Sequence, residues 1–320
     1  MKRAVILQHA PSWGVQGQLA NQLWNYISVF AYARERNIEC RNYSFFEYHH
    51  YFDIPVGNPL IELFFFLPLA PLRRALPEHV LIPLWRKWYK IFVLAVRFFK
   101  DRSLVSSGTS ADKDGPYYLP PSPNTPAAFD GKEKTIAHTL YFDGWLFRNP
   151  KGIVRYREDI RTYFRPNART RRVVETCVAE IRRNYSRLIG VHIRQGDYRT
   201  FKGGRYFVKA ARAREIIDEY LREEKLDPSK TAFIVTSDGH VEKKIFEGLN
   251  VFMSGNNAAE DLFIIASCDA VLGSDSSFGN FAAYYGNIPH IVLSRLPIDW
   301  AYYKEKRDYF ENKYCTLVHF

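Results

Sequence analysis

The C-terminal half of the chain alternates short apolar runs with amphipathic stretches, and that alternation constrains the fold more than any other feature. The apolar runs are Leu188-Ile189-Gly190-Val191, Ala232-Phe233-Ile234-Val235-Thr236, Val251-Phe252-Met253, Ala270-Val271-Leu272-Gly273 and residues 290–293. Each has the length and composition of a buried strand. Between them lie segments with helical spacing at 168–184, 208–224, 241–249, 260–268 and 281–286. Parallel strands need crossover helices, so this order predicts an α/β fold with a mostly parallel, doubly wound sheet.

The N-terminal half reads less regularly. A strand at 4–7, a Pro- and Gly-containing loop at 8–17 and a helix from Gln18 to about Arg36 open it. A strand at 135–140 and a helix at 153–164 close it, and Arg165-Pro166 marks a domain boundary. A chain of 320 residues accommodates two such domains, 1–164 and 165–320. Between them in style stands an insertion at 59–131. Residues 60–72 are apolar but contain prolines, and 106–131 form a Ser/Gly/Pro/Asp-rich connector. Residues 85–100 form a basic amphipathic helix, with Arg86, Lys87, Lys90, Arg97 and Lys100 on one side and Trp88, Phe92, Ala95 and Phe99 on the other. Such a helix suits either an ordinary protein surface or the interface of a membrane, so peripheral membrane contact through 85–100 is one expectation.

Charge narrows the partners. The 45 Lys and Arg outnumber the 34 Asp and Glu, giving a net charge of +11. An anionic partner follows: nucleic acid, a sugar nucleotide or an acidic lipid surface. The charge is spread over several segments with no nucleic-acid motif, which disfavours nucleic acid. Cys40, Cys177, Cys268 and Cys315 are scattered without a Cys-x-x-Cys pair, so free thiols in a reducing cytoplasm are expected. Residues 4–7 are too short for a signal core, and no run reaches the ~20 apolar residues of a membrane span. Adjacent His49 and His50 lack the i,i+4 spacing of a metal pair.

In open α/β sheets, ligands gather at the carboxyl ends of the strands. The run 188–191 leads directly into His192-Ile193-Arg194-Gln195-Gly196-Asp197-Tyr198. Arginine there suits a phosphate, because its planar fork donates paired hydrogen bonds and keeps its charge. Asp197 could orient Arg194, and the same residues also suit a plain turn with an internal ion pair. Farther on, Ser274-Asp275-Ser276-Ser277-Phe278-Gly279-Asn280 separates a strand from a helix. Small hydroxyl residues in that position cradle a diphosphate or simply cap a helix.

These segments together resemble a known family. His192 to Tyr198 is similar to the His-x-Arg-Arg-Gly-Asp-Tyr/Phe motif of the α1,2-fucosyltransferases, part of the wider group of α1,2-, α1,6- and protein O-fucosyltransferases. Gly17-Gln18-Leu19-Ala20-Asn21-Gln22 resembles that family's Gly-Gly-Leu-Gly-Asn-Gln, with Gln18 and Ala20 in place of two glycines. Residues 260–286 resemble its Asp-Leu-x-x-Met-x-x-Cys…Ser-Asn-Ser-Ser/Thr-Phe-Ser-Trp-Trp-Ala-Ala, with Asp275 at the Asn and Gly279-Asn280-Phe281 for Ser-Trp-Trp. Residues 141–150 match a further family segment in character only. Gln195 departs from the second arginine that most relatives carry.

The resemblance implies two Rossmann-like domains facing a cleft, the glycosyltransferase B type, with the nucleotide on the C-terminal one. It implies an inverting, metal-independent transfer of L-fucose from GDP-fucose to a galactoside in α1,2 linkage, in surface polysaccharide synthesis. GDP-fucose is then a donor substrate, no cofactor or metal is expected, and the acceptor is an oligosaccharide or glycolipid. The absence of an Asp-x-Asp motif at a strand end agrees with that. Carried over motif by motif, Arg194 would bind the β-phosphate, and His192 and Asp261 would contact the guanosine part. Ser276, Ser277 and Phe278 would line the phosphate turn, and Asn21 with Gly17 would close the site from the N-terminal domain. Asp197 is a candidate general base, or holds Arg194 in place. The expected location is the cytoplasm, or the inner face of the membrane as a peripheral protein. Two other readings stay open: a different nucleotide-sugar donor, and a basic nucleic-acid-binding protein.

Overall fold

A computed structural model describes residues 3–8, 18–54, 72, 75–99, 104–107, 117–119, 139–294 and 297–305. The chain divides into two compact units, Met1–Arg165 and Pro166–Phe320.

The first unit runs β1 (Arg3–Gln8), α1 (Leu19–Glu35), β2 (Glu39–Asn42), α2 (Phe46–His49), α3 (Glu78–Phe99), β3 (Leu104–Ser107), β4 (Tyr117–Tyr118), β5 (Thr139–Gly144), β6 (Phe147–Arg148), α4 (Pro150–Arg155) and α5 (Arg157–Tyr163). Its main sheet has the order β2-β1-β5-β3 with every pair parallel, and β4 pairs β6 beside it. Ala4, Val5, Ile6 and Leu7 are all buried, as in a parallel strand covered on both faces. Helix α1 is buried along most of its length, including Asn25. The Asn25 amide donates to Gly144 O (3.1 Å) and accepts from Phe147 N (3.1 Å), tying α1 to the turn between β5 and β6.

Several expectations for this half shift. The segment expected as a strand at 135–140 pairs later, as β5, while 131–138 lie outside the described residues. The helix expected at 153–164 is two short helices meeting at Tyr156. β2 is Glu-Cys-Arg-Asn and β3 holds only two apolar residues, too little for a periodic signal. Residues 60–71 and most of the 106–131 connector lie outside the described residues, although Ser106 and Ser107 belong to β3.

The basic amphipathic helix is α3, which begins at Glu78 with Pro83 inside it. Leu81, Trp85, Tyr89, Val93 and Val96 pack on Val5, Leu7, Tyr43 and Phe46. Trp85 stacks on Phe46 at 4.9 Å and on Tyr89 at 4.7 Å. Two of the arginines expected on the basic side turn to the protein: Arg86 meets Glu47 at 3.0 Å, and Arg97 forks onto the buried Asp143 at 2.7 and 3.2 Å. Among the described residues, no helix is long and apolar enough to cross a membrane.

The second unit runs α6 (Ala168–Arg182), β7 (Arg187–Ile193), α7 (Ala210–Glu223), β8 (Thr231–Ser237), β9 (Asn250–Met253), α8 (Ala258–Ala266), β10 (Ala270–Gly273), α9 (Ser277–Gly286), β11 (His290–Val292) and α10 (Trp300–Lys304). Its five strands are parallel in the order β11-β10-β7-β8-β9. The expected parallel α/β sheet is present. The chain steps outward from β7 through β8 to β9, then returns to lay β10 on the other side of β7. The order therefore reverses between β7 and β10, where a doubly wound sheet opens a crevice at its carboxyl edge. Ile189, Val191, Phe233, Val235 and Leu272 pack with Ile216, Ile217 and Leu221 of α7 in the core.

Two helices of this half differ from their pattern. The one expected at 241–249 is a single 3-10 turn, Lys243–Phe246, with only Phe246 buried. α9 begins at Ser277 rather than 281, because Ser276 caps it by accepting from Gly279 N at 3.3 Å.

Candidate active site

β7 delivers His192 and Arg194 to the carboxyl edge of the second sheet, next to the turn that follows β10. The two strand ends are stitched together. Ser274 N donates to His192 O (2.9 Å), and Arg194 N donates to Ser274 Oγ (3.0 Å). Tyr198 OH donates to Asp275 O at 3.0 Å from the next loop. Arg194 thus stands beside the N-terminus of α9, whose aligned peptide dipoles favour an anion.

The Arg194 guanidinium is held between two carboxylates. Its Nε donates to Asp197 Oδ1 at 3.0 Å and lies 3.1 Å from Asp238 Oδ2. Asp238 also accepts Gln195 N (2.6 Å) and Gly196 N (3.2 Å) through Oδ1. Gly196 is required for this approach, since a Cβ there would lie 2.6 Å from Asp238 Oδ2. Asp238 directly follows β8, and the sequence signals it only as the Asp of a Ser-Asp pair after a strand.

His192 is buried, its ring stacked on Phe278 at 4.7 Å and its Nδ1 3.2 Å from Thr236 Oγ1. Burial, with the Arg194 charge behind it, pushes His192 down to about 4. The neighbouring His290, which the sequence reading treats only as a strand residue, is pushed down to about 3 by burial and then by His192. Its Nδ1 lies 2.6 Å from Asn280 Oδ1. Gly279 fits beside both rings: a Cβ there would lie 3.2 Å from His290 Nε2 and 3.8 Å from His192 Cδ2. Both imidazoles are therefore neutral near pH 7.

The sequence candidates fall in both units. His192, Arg194, Asp197, Ser276, Ser277 and Phe278 come together at the edge between β7 and β10. Asp261 lies in the first turn of α8, the helix that follows β9 in the chain and packs on β7 and α9, where its carboxylate pairs with Ser254 Oγ; burial raises it to about 6 against that hydrogen bond. Asn21 sits half-buried in the first turn of α1 in the other unit, and Gly17 lies outside the described residues. Gln195 turns inward. It is buried, donates Nε2 to Val208 O at 2.9 Å, and accepts from Arg199 Nη2 at 3.5 Å.

The family model of glycosyl transferase family 11 matches residues 134–314, more than half of the chain. The chain belongs to glycosyl transferase family 11. The matched region contains the whole β7–β10 edge with Arg194, Asp238 and Ser274, and the resemblance to the α1,2-fucosyltransferase family stands. This family 11 chain matches no curated protein sequence. It is similar to the solved structure of POFUT1 in complex with GDP, at 12% identity over 90% of this chain and 97% of that one, with a TM-score of 0.49. It is also similar to NodZ α-1,6-fucosyltransferase co-crystallized with GDP, at 16% identity over 91% and 95%, with a TM-score of 0.48. Fucosyltransferase NodZ from Bradyrhizobium gives 15% identity over 91% and 95%, with a TM-score of 0.48.

Proposed function

We propose that this glycosyltransferase moves L-fucose from GDP-fucose to a galactoside in α1,2 linkage, inverting the anomeric carbon, in the synthesis of a surface polysaccharide. The observation that carries the reading is the placement of Arg194 at the point where the strand order reverses, beside a capped helix N-terminus. An anion such as a diphosphate is what that edge is built to receive.

The chemistry follows from charge. The acceptor hydroxyl attacks C1 from the face opposite GDP, the C1–O bond breaks, and its electron pair leaves with the β-phosphate. Arg194 and the N-terminus of α9 stabilise the developing negative charge, a contribution worth roughly 10²-fold in rate for one donor of this kind. The hydroxyl proton passes to a base or to water. Asp197 is engaged with Arg194, so we assign it to positioning rather than to proton removal. Neutral His192, stacked on Phe278, serves the guanosine side, and Asp261 is assigned there by the family motif. The second unit holds the donor and the first serves the acceptor.

Incubation with labelled GDP-fucose and a panel of β-galactosides, followed by α1,2-specific fucosidase digestion, tests the proposal. Transfer to a terminal galactose, with label released by that enzyme, is expected. Failure on every galactose-terminated acceptor would overturn the linkage. The inward turn of Gln195 leaves room for a second reading, a different nucleotide-sugar donor. Greater thermal stabilisation by UDP or GDP-mannose than by GDP-fucose would favour it.

A further inference from the structure

Helix α3 is apolar on two opposite faces. One is the buried face of Leu81, Trp85, Tyr89, Val93 and Val96 already described. The ion pairs Arg86–Glu47 and Arg97–Asp143 flank it and fix the rotation of the helix about its axis. That rotation turns a second stripe outward: Val80, Leu84, Trp88, Ile91, Leu94 and Phe98. At ~100° per residue these fall along one side, nearly opposite Trp85 and Tyr89. Their exposure is high, reaching 61% for Ile91 and 81% for Phe98, with Phe99 at 75%. Single exposed apolar residues are ordinary, but a continuous stripe of this length marks a contact surface.

The charge around the stripe identifies its partner. Between Glu78 and Asp101 the sequence has no acidic residue and five basic ones. Arg86 and Arg97 are neutralised by carboxylates of the protein. Lys87 lies within the stripe and Lys90 along its edge, both exposed. Large aliphatic and aromatic side chains with interspersed lysines match the boundary of an anionic bilayer, where rings and aliphatic groups enter the acyl region and lysines reach the headgroups. A helix that is too polar to cross a membrane can still lie along one.

We propose that α3 docks this protein on an anionic lipid bilayer through the Leu84–Ile91–Phe98 face, with Lys87 and Lys90 on the headgroups. The stripe belongs to the first unit and the β7–β10 edge to the second, and the test of the stripe does not depend on the transferase reading.

The full chain is floated with vesicles of phosphatidylglycerol and phosphatidylethanolamine, and with neutral phosphatidylcholine vesicles. Binding to the anionic vesicles, weakened by salt and at least roughly tenfold lower on neutral ones, is expected. The triple variant L84E/I91E/F98E should lose binding with its circular dichroism melt unchanged. K87E/K90E should lower binding to anionic vesicles alone. Absence of vesicle binding by the unmodified chain overturns the proposal. So does a dimer in light scattering that L84E/I91E/F98E converts to monomer without any vesicle binding, because the stripe would then be covered by a second copy.

Discussion

Arg194 and Asp238 face each other at 3.1 Å across the ends of β7 and β8, and the Asp238 carboxylate also gathers the N–H groups of Gln195 and Gly196. One carboxylate therefore sets both the guanidinium and the backbone that carries it. Asp238→Asn keeps the shape but removes the charge. Turnover of labelled donor is expected to fall roughly 10–100-fold, since small displacements of a positioned group carry costs of that order. Steady-state kinetics beside a thermal melt separates this from loss of fold.

Gly196→Ala should act through the same carboxylate, because its Cβ would stand 2.6 Å from Asp238 Oδ2. The substitution is expected to lower turnover to a similar degree. Combined with Asp238→Asn, the two effects should fall well short of adding, which a double-mutant cycle measures.

Gln195→Arg would place there the second arginine that the resemblance implies, yet the Gln195 side chain is buried against Val208 O. A guanidinium forced into that position would meet the Arg199 guanidinium, which now donates to Gln195 Oε1. Urea unfolding should show a loss of roughly 2 kcal/mol or more, with no gain in turnover.

The two buried histidines predict acid sensitivity. In the unfolded chain each takes up a proton near its ordinary value of 6.5, whereas the folded ones wait until about 4 for His192 and about 3 for His290. Between those limits the unfolded state binds more protons, so stability falls as pH falls from 6.5 toward 4. Each group contributes about 1.4 kcal/mol per pH unit at full slope. Asp261 works in the opposite direction: raised to about 6 from 3.8, it adds stability as pH falls through that window. Unfolding free energies at pH 7, 6 and 5 should show His290→Gln flattening the slope and Asp261→Asn steepening it.

The second unit was legible because its strands are buried on both faces, so runs such as 232–236 and 270–273 stand out and their order implies a parallel sheet. Its motif residues were legible because they follow those runs directly. Asp238 and His290 were harder to read, since their importance comes from pairing across strands that are distant in sequence. The first unit hid more. β2 is polar and half-buried, and β3 and β4 are too short to show a period. α3 carries two apolar faces, so helical spacing alone could not say which one the protein covers; Glu47 and Asp143, far away in sequence, decide it.

The central claim is that Arg194 meets the leaving diphosphate of a sugar nucleotide, and Arg194→Ala tests it most directly. Transfer from labelled GDP-fucose should fall at least roughly 10²-fold, with the melting temperature in the absence of nucleotide nearly unchanged. Transfer that continued at the rate of the unmodified chain would contradict it.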